Sequence, residues 1–305
     1  MMENKIIVIA GPTGIGKTRF AIQAANRFDG EIVGADSMQV YRYMDIGTAK
    51  PDKEEQALAR HHLIDIVNPD EPFDAAAYIR WADKAIQDIL DRGKTPVVAG
   101  GTGLYIRALV HGLYRERIPD QAVMERLERE LEFYGPEFLH EKLENIDPGL
   151  AGTIHFNDSF RVIRALEVFE STGTVKSEFL KNHNFETLRY DCIKIGLWAD
   201  RGLLYEKINR RVDKMISLGL VDEVKTLLKS GYSGDLKSMQ SIGYRHVNEY
   251  LDGKTDFTEA VRTLKRDTRR FAKRQFTWFS KEKGLAWFEP DEPAGAYQLI
   301  EDFLL

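Results

Sequence analysis

The residues best suited to chemistry stand near the start of the chain, where the sequence reads GPTGIGKT. Glycines let the backbone N–H groups of such a loop point inward at an anion, and the helix that follows adds its positive N-terminal end. Lys17 supplies a cation for the outer phosphate, and the Thr18 hydroxyl is placed to bind Mg²⁺. The motif predicts a di- or triphosphate ester with Mg²⁺ and does not specify a nucleotide. The predicted phosphate-binding residues are Gly11, Pro12, Thr13, Gly14, Ile15, Gly16, Lys17 and Thr18, with Thr18 as the metal ligand.

A carboxylate follows the second predicted strand, in the segment GADSMQVYRYMDIGTAKP at 34–51. Spacing leaves three roles open for Asp36: an outer-sphere Mg²⁺ ligand, a general base, or the cap of the next turn together with Ser37. Lys50 is expected to be a solvated loop charge. Packing within the loop is expected for Met38, Val40, Tyr41 and Tyr43.

The elements that must position these residues alternate between strands and helices. Apolar runs typical of strands occur at KIIVIA (5–10), EIVGA (31–35), TPVVAG (95–100) and DCIKIGLWA (191–199), with a weaker one at HHLIDIV (61–67). Helical periods separate them, which predicts an α/β fold with a doubly wound parallel sheet. Ligands of such sheets lie at the carboxyl ends of the strands. We therefore expect the loop at 11–18, Asp36 and the glycine turn at 100–103 to share one site.

The composition changes between Ile118 and Leu188, where the sequence is highly charged, has helical patterns and contains no apolar run typical of a strand. We interpret 118–188 as a helical insertion domain in a core domain formed by 1–117 and 189–305. After the strand at 191–199 the remainder is predicted to be helical, including one helical stretch over 203–231.

Basic residues crowd near the end of the chain, although the net charge is −5. Seven Lys or Arg and one acid, Asp267, stand between Arg262 and Arg274. A buried helix face is expected through positions 261, 264, 268, 271, 275 and 278, which makes Phe271 and Trp278 core residues. The basic residues then lie on the other faces, either as an ordinary solvated surface or as a path for a nucleic-acid backbone.

Composition bounds the class of protein. The chain has 305 residues, of which 43% are hydrophobic and 30% charged, as in soluble globular proteins. Its apolar runs are too short to cross a bilayer, and MMENK at the start is no secretory signal. The single cysteine, Cys192, excludes an intrachain disulfide. We therefore expect a cytoplasmic protein with no membrane association. A monomer is expected because no exposed apolar stripe demands a partner.

Several segments together resemble the tRNA dimethylallyltransferases, also called tRNA isopentenylpyrophosphate transferases. They are GPTGIGKT, ADSMQVYRYMDIGTAKP, VVAGGTGLYIRAL, HFNDSFRVIRALEVF (155–169), MQSIGYRHV (239–247) and RRFAKRQFTWF (269–279). The similarity covers residues 5 to about 280, and the segment at 34–51 is more specific than the phosphate loop. One cysteine cannot form the zinc finger of some eukaryotic relatives, so the chain resembles the shorter bacterial type.

The resemblance implies a P-loop NTPase-like core that moves a dimethylallyl group from dimethylallyl diphosphate to N6 of the adenosine 3′ to the anticodon. It implies Asp36 as general base, Arg211 as a further pyrophosphate contact and Thr102 as an orienting hydroxyl, with Mg²⁺ as cofactor. The implied partner is a tRNA anticodon stem-loop, contacted also by the insertion, and no obligate protein partner is expected. The implied tRNA contacts are Asp36, Ser37, Met38, Gln39, Thr102, Phe160, Arg161, Arg164, Gln240, Gly243, Tyr244 and Arg245.

Three other functions share parts of this pattern. A small-molecule kinase has the same loop and sheet, a transferase acting on free AMP, ADP or ATP needs no extended basic surface, and a non-catalytic RNA-binding protein could retain a vestigial loop. Turnover of γ-labelled ATP distinguishes the first, and the basic segment at 261–279 argues against the second.

Overall fold

The computed structural model describes residues 5–113, 120–183 and 188–305, and a parallel six-stranded sheet forms the centre of this part of the chain. The strands are β1 (Lys5–Ala10), β2 (Gly30–Gly34), β3 (His61–His62), β4 (Thr95–Gly100), β5 (Asp191–Leu197) and β6 (Leu285–Phe288). Their order in the sheet is β3-β2-β4-β1-β5-β6, and all neighbouring strands are parallel. The predicted α/β class with a parallel sheet is confirmed.

The chain divides into two compact units, one formed by Met1–Val110 with Arg189–Leu305 and one by His111–Leu188. The described helices of the first part of the chain are α1 (Lys17–Arg27), α2 (Lys53–Leu58), α3 (Ala75–Asp91) and α4 (Gly103–His111). Those after β5 are α10 (Arg201–Ser217), α11 (Leu220–Lys229), α12 (Tyr244–Leu251), α13 (Phe257–Phe279) and α14 (Ala294–Leu304). Within the described residues, no helix has the length and apolar character needed to cross a membrane.

Helices cover both faces of the sheet, and the central strand β1 shows why. Successive strand side chains point to opposite faces. Ile6 and Val8 enter one core, with residues of α3, α4, α11 and α12, whereas Ile7 and Ile9 enter the other, with residues of α1 and α14. All four side chains have no exposed surface. Burial on both faces therefore holds β1 in place, and with it the point where the phosphate loop begins.

The second unit is helical in its described residues, as predicted. Its helices are α5 (Gln121–Tyr134), α6 (Pro136–Ile146), α7 (Pro148–Ala151), α8 (Ser159–Thr172) and α9 (Lys176–His183). Leu127, Leu139, Leu143 and Leu166 form the centre of its own hydrophobic core. The expected domain boundary between residues 117 and 118 lies outside the described residues.

A buried carboxylate ties β2 to its neighbours. Glu31 is only 4% exposed, and it accepts hydrogen bonds from the Arg92 guanidinium at the end of α3 and from His62 Nε2, which lies 2.7 Å away on β3. The hydrogen bond from Arg92 lowers the pKa of Glu31 to about 2, against the opposing effect of burial. This network ties β2, the strand that leads to Asp36, to β3 and to the end of α3.

Three predictions about elements need correction. The strand expected over 61–67 is limited to His61–His62, because Leu63 (φ 65°) and Asp65 (φ 56°) have left-handed backbone that ends the strand. The stretch 203–231 is two helices, α10 and α11, separated at Gly219 (φ 98°). The short strand β6 was not expected, since the sequence after 199 is otherwise helical.

Candidate active site

The phosphate loop, residues 11–18, connects β1 to α1 at the carboxyl edge of the sheet. Gly14 and Gly16 adopt φ values of 82° and 106°, which residues with a Cβ rarely reach. Gly16 is the N-cap of α1, and no side chain caps this helix end. The first four N–H groups of a helix have no acceptor within the helix. The loop therefore directs the positive end of α1 at an anion site.

Lys17 sits at this helix end with its ammonium turned back onto the loop. Its Nζ donates to the carbonyl oxygen of Pro12 at 2.8 Å. Burial lowers the pKa of Lys17 to about 7, the carboxylate of Asp36 raises it, and the guanidinium of Arg211 lowers it further. Burial likewise lowers the pKa of Arg211, against the attraction of Asp36. Two crowded cations of this kind are stabilised when an anion binds between them.

Asp36 lies beyond the end of β2 and caps the turn that follows it. One carboxylate oxygen, Oδ1, accepts from the N–H of Met38 at 2.9 Å and from the N–H of Gln39 at 3.4 Å. Thr102 Oγ1, in the glycine turn at 100–103, accepts from the N–H of Ser37 at 3.0 Å and donates to Ser37 Oγ at 3.3 Å. The turn-capping role of Asp36 is thus present, and it occupies only one carboxylate oxygen in these hydrogen bonds. Thr102 holds the turn through its hydroxyl.

One cavity of about 280 Å³ joins these groups. Its charged lining consists of Lys17, Asp36, Lys207 and Arg211, and Thr18 also faces it. Further polar lining comes from Thr13, Gly14, Gly16, Gln39, Thr48, His61, Gly100 and Gln275, and apolar lining from Ala21, Ile32, Ile64, Ala99, Pro51 and Phe271. The cavity therefore combines an anion-binding end, a carboxylate and an apolar wall, which suits a diphosphate ester with a hydrocarbon group.

The buried face of α13 differs from the sequence prediction. Its buried residues are Ala260, Leu264, Ala272, Gln275 and Phe279, a face rotated from the expected one. Phe271 is half-buried and lines the cavity, so its assignment to the core was wrong. Trp278 is partly buried and packs against the core, as predicted.

Sequence reasoning missed Gln275, which is a polar residue on the buried face of α13. Its Oε1 accepts from the N–H of Thr13 at 2.8 Å, and its Nε2 donates to the carbonyl oxygen of Gly101 at 2.9 Å. The signal available in the sequence was a glutamine at a position of the apolar stripe, because a buried amide needs hydrogen-bond partners.

One side chain each from α11 and α12 supports the loop after Asp36. Glu223 accepts from the N–H groups of Asp45 (3.0 Å), Ile46 (2.7 Å) and Gly47 (3.1 Å). The hydroxyl of Tyr244 donates to Glu223 at 2.6 Å, and Tyr244 has no exposed surface. The side chain of Tyr244, a predicted tRNA contact, therefore supports this loop and offers no face to a base.

The same loop orients the cavity residue Gln39 and places Lys50 away from its expected surroundings. Gln39 donates to the carbonyl oxygens of Thr48 (3.3 Å) and Ala49 (3.1 Å), so the loop orients this cavity residue. The Lys50 side chain is 3% exposed and pairs with Asp45 at 2.5 Å and Asp65 at 2.6 Å. The expectation of a solvated Lys50 was wrong, because two carboxylates compensate its buried charge.

The remaining predicted tRNA contacts of the core unit lie near the start of α12, except for Met38 in the loop after Asp36. Gln240 is exposed and donates to the carbonyl oxygen of Gly234 at 2.7 Å. Gly243 adopts φ 102°, and Arg245 is partly exposed beside Asp267 and Glu249. Met38 is partly buried and packs against the core.

Basic residues of α13 are partly paired. Arg262 binds Glu259, Arg266 binds Asp267, and Lys265 binds Asp213, whereas Lys273 and Arg274 are exposed. In the helical unit, Phe160 is 68% exposed on α8. There Arg161 is exposed and lies 3.3 Å from Asp158, while Arg164 is mostly buried against Glu167.

Fold and site together define an α/β protein of the phosphate-loop class whose loop, carboxylate and buried arginine face one cavity. The family model described as IPP transferase matches residues 39–282, and the chain belongs to this family. The match begins after Asp36, so the phosphate loop and Asp36 stand outside it, but the relatives below align over nearly the whole chain.

Three relatives illustrate the similarity. A tRNA dimethylallyltransferase of Desulfosudis oleivorans is 52% identical over 94% of this chain and 92% of its own length. The crystal structure of a full-length tRNA isopentenylpyrophosphate transferase from Bacillus halodurans is 41% identical, with a TM-score of 0.75, over 99% of this chain and 97% of that one. A eukaryotic dimethylallyltransferase acting on tRNA is 30% identical, with a TM-score of 0.82, over 99% of this chain and 80% of that one. The bacterial-type resemblance is confirmed, and the chain is a prenyl-transferring enzyme by family.

Proposed function

We propose that the chain transfers a dimethylallyl group from dimethylallyl diphosphate to N6 of the adenosine 3′ to the anticodon in tRNA, with release of diphosphate. The proposal rests on one observation, that Lys17, Arg211 and Asp36 line the same cavity. The two cations suit a diphosphate, and the carboxylate suits the acceptor. A passive RNA-binding protein does not require these buried charged groups, whereas a kinase is distinguished by the labelling test below.

The difficult step is the departure of diphosphate. The bond between C1 of the prenyl group and the bridging oxygen breaks, and its electron pair leaves with the diphosphate. Preorganised donors aimed at that developing charge are the main source of catalysis, each worth on the order of 3 kcal/mol. The N–H groups that open α1, together with Lys17 and Arg211, are the donors at the cavity end.

The new bond forms between N6 of the acceptor adenine and C1 of the prenyl group. N6 of adenine attacks C1, and because its lone pair is delocalised, it must lose a proton as it becomes alkylated. Asp36 receives that proton as the general base. Oδ1 of Asp36 is engaged with the N–H groups of Met38 and Gln39, which fixes the carboxylate plane. Thr102 orients the same turn through Ser37.

The residues present fit a magnesium ion that is held mainly by the substrate. Mg²⁺ keeps several waters and takes one or two protein oxygens plus phosphates. The described residues contain no group of three or more His, Cys, Asp or Glu that could form an all-protein metal site. Thr18 lines the cavity and would offer one hydroxyl oxygen to the ion. A bound Mg²⁺ would neutralise charge on the leaving diphosphate.

For the tRNA, we assign the backbone path to the exposed basic residues of α13 and the loop contacts to the segments after Asp36 and before α12. The acceptor base must leave its stack to reach a cavity of this kind. Phe160, Arg161 and Arg164 of the helical unit are proposed contacts of the anticodon stem-loop.

The decisive test incubates the protein with labelled dimethylallyl diphosphate, Mg²⁺ and unmodified tRNA, and looks for label in adenosine. We expect label in tRNA and none in free AMP, ADP or ATP. Asp36→Asn keeps the acceptor oxygen that caps the turn, so it should bind tRNA normally while losing turnover. Incorporation at the parent rate in Asp36→Asn would show that the base is another group, and transfer of γ-label from ATP would favour a kinase.

A further inference from the structure

Gln275 is the point where α13, the phosphate loop and the turn at 100–103 meet. Its side-chain amide spans from the N–H of Thr13 at 2.8 Å to the carbonyl oxygen of Gly101 at 2.9 Å. The residue is 7% exposed and borders the cavity. A backbone donor on one side and a backbone acceptor on the other require a side chain that carries both an acceptor and a donor. Leucine has neither an acceptor nor a donor, and ionised glutamate lacks the donor.

The two peptides that Gln275 joins belong to different parts of the site. Thr13 lies in the phosphate loop, immediately before Gly14 and three residues before Gly16, the N-cap of α1. Gly101 precedes Thr102, whose hydroxyl accepts from the N–H of Ser37 beside Asp36. Hydrogen bonds thus run from the diphosphate end to the turn of the general base, and Gln275 connects the two.

The glycine at 101 shows how closely the amide approaches. A Cβ built at Gly101 would lie 2.4 Å from Gln275 Nε2, while its next neighbours, Gln275 Cδ and the Gly11 carbonyl oxygen, are both at 3.5 Å. Among the described residues beyond its chain neighbours, only the Gln275 amide comes closer than 3.5 Å to such a Cβ. The absence of a side chain at residue 101 therefore serves the contact with Gln275.

We propose that Gln275 is a positioning residue for the transfer reaction, holding the phosphate loop and the turn at 100–103 in one fixed arrangement and so setting the diphosphate relative to Asp36. This inference rests on the proposed function for its catalytic consequence, but its effect on diphosphate binding does not require prenyl transfer.

The test is a double-mutant cycle in which the dissociation constant of inorganic pyrophosphate with Mg²⁺ is measured by calorimetry. Gln275→Ala removes both hydrogen bonds, and Gly101→Ala displaces the amide, so each should weaken binding by about tenfold. In the Gln275→Ala background the clash with the amide is gone and the Cβ at 101 meets the Gly11 carbonyl oxygen at 3.5 Å, an ordinary contact distance, so Gly101→Ala should add no more than about twofold. Equal effects of Gly101→Ala in both backgrounds, or parent affinity in Gln275→Ala, would overturn the proposal.

Two controls separate positioning from folding. Gly103→Ala would place its Cβ 2.2 Å from Trp278 Nε1, a clash that removal of Gln275 cannot relieve, so its effect should be the same in both backgrounds. Thr277→Ala alters an exposed residue of the same helix and should leave pyrophosphate binding unchanged. In the transfer assay, Gln275→Ala should lower kcat by about tenfold with the tRNA Kd within about threefold. A lowered tRNA affinity with unchanged kcat would contradict a positioning role, whereas loss of transfer in the parent protein would leave the pyrophosphate cycle interpretable.

Discussion

Replacing Glu31 by glutamine should make the stability of the protein less sensitive to acid. In the folded chain, hydrogen bonding to Arg92 lowers the pKa of Glu31 from 4.5 to about 2. Because the folded pKa is depressed, the stabilisation is complete above the unfolded value and is lost as the pH falls towards the folded value. The gap corresponds to about 3 kcal/mol at neutral pH, of which about 1 kcal/mol is lost by about pH 4.

The assay is urea unfolding of the parent and of Glu31→Gln at about pH 7 and about pH 4, followed by circular dichroism. At neutral pH we expect the variant to be less stable by about 3 kcal/mol, since Arg92 and His62 lose their charged partner. At the lower pH the difference between the two proteins should shrink by about 1 kcal/mol.

The control is Glu128→Gln, which removes an exposed carboxylate from α5. Its unfolding should follow that of the parent at both pH values. A difference between the parent and Glu31→Gln that stays constant with pH would refute the reasoning, because it would mean that Glu31 binds protons equally in the folded and unfolded chains.

Further predictions concern the site itself. Asp36→Asn should lower kcat by about 10²–10⁴-fold with tRNA affinity within a few-fold, measured by label transfer and filter binding; unchanged kcat would remove Asp36 from the mechanism. Lys17→Met should weaken pyrophosphate binding by at least about tenfold, and calorimetry showing parent affinity would contradict the role of the loop cation. Glu223→Gln should lower the free energy of unfolding by about 2 kcal/mol, since the amide opposes N–H donors with its own NH₂, whereas exposed Glu206→Gln should not. Raising salt from about 50 to about 200 mM should reduce tRNA affinity at least about tenfold, and a flat salt response would exclude the basic face of α13.

Strands and the phosphate loop could be predicted because their signals are local. Apolar β-branched runs marked β1, β2, β4 and β5, and the glycine spacing marked the loop. The prediction of the third strand failed at Leu63 and Asp65, where the backbone is left-handed. This conformation accompanies hydrogen bonds to the loop after Asp36, such as that from the N–H of Asp65 to the carbonyl oxygen of Gln39, and does not follow from local residue preferences.

Side-chain pairings over long separations were not predictable. Lys50 pairs with Asp65, which is fifteen positions away in sequence, and no local pattern brings these residues together. The face of α13 was misjudged by a fraction of a turn, which placed Phe271 in the core. Gln275 was counted as one member of the apolar stripe, although a polar residue at a buried position indicates specific hydrogen bonds.

The electrostatic arrangement explains how one cavity can serve both an anion and a base. Lys17 and Arg211 interact with Asp36 strongly enough to affect their pKa values, yet among the described residues no cation forms an ion pair with its carboxylate, whose hydrogen bonds come from the backbone of its own turn. An ion pair between Asp36 and Lys17 would neutralise the anion site. In the proposed reaction, capping of the turn by Oδ1 instead leaves the charge of Lys17 and Arg211 for the diphosphate and the second carboxylate oxygen of Asp36 for the proton of N6.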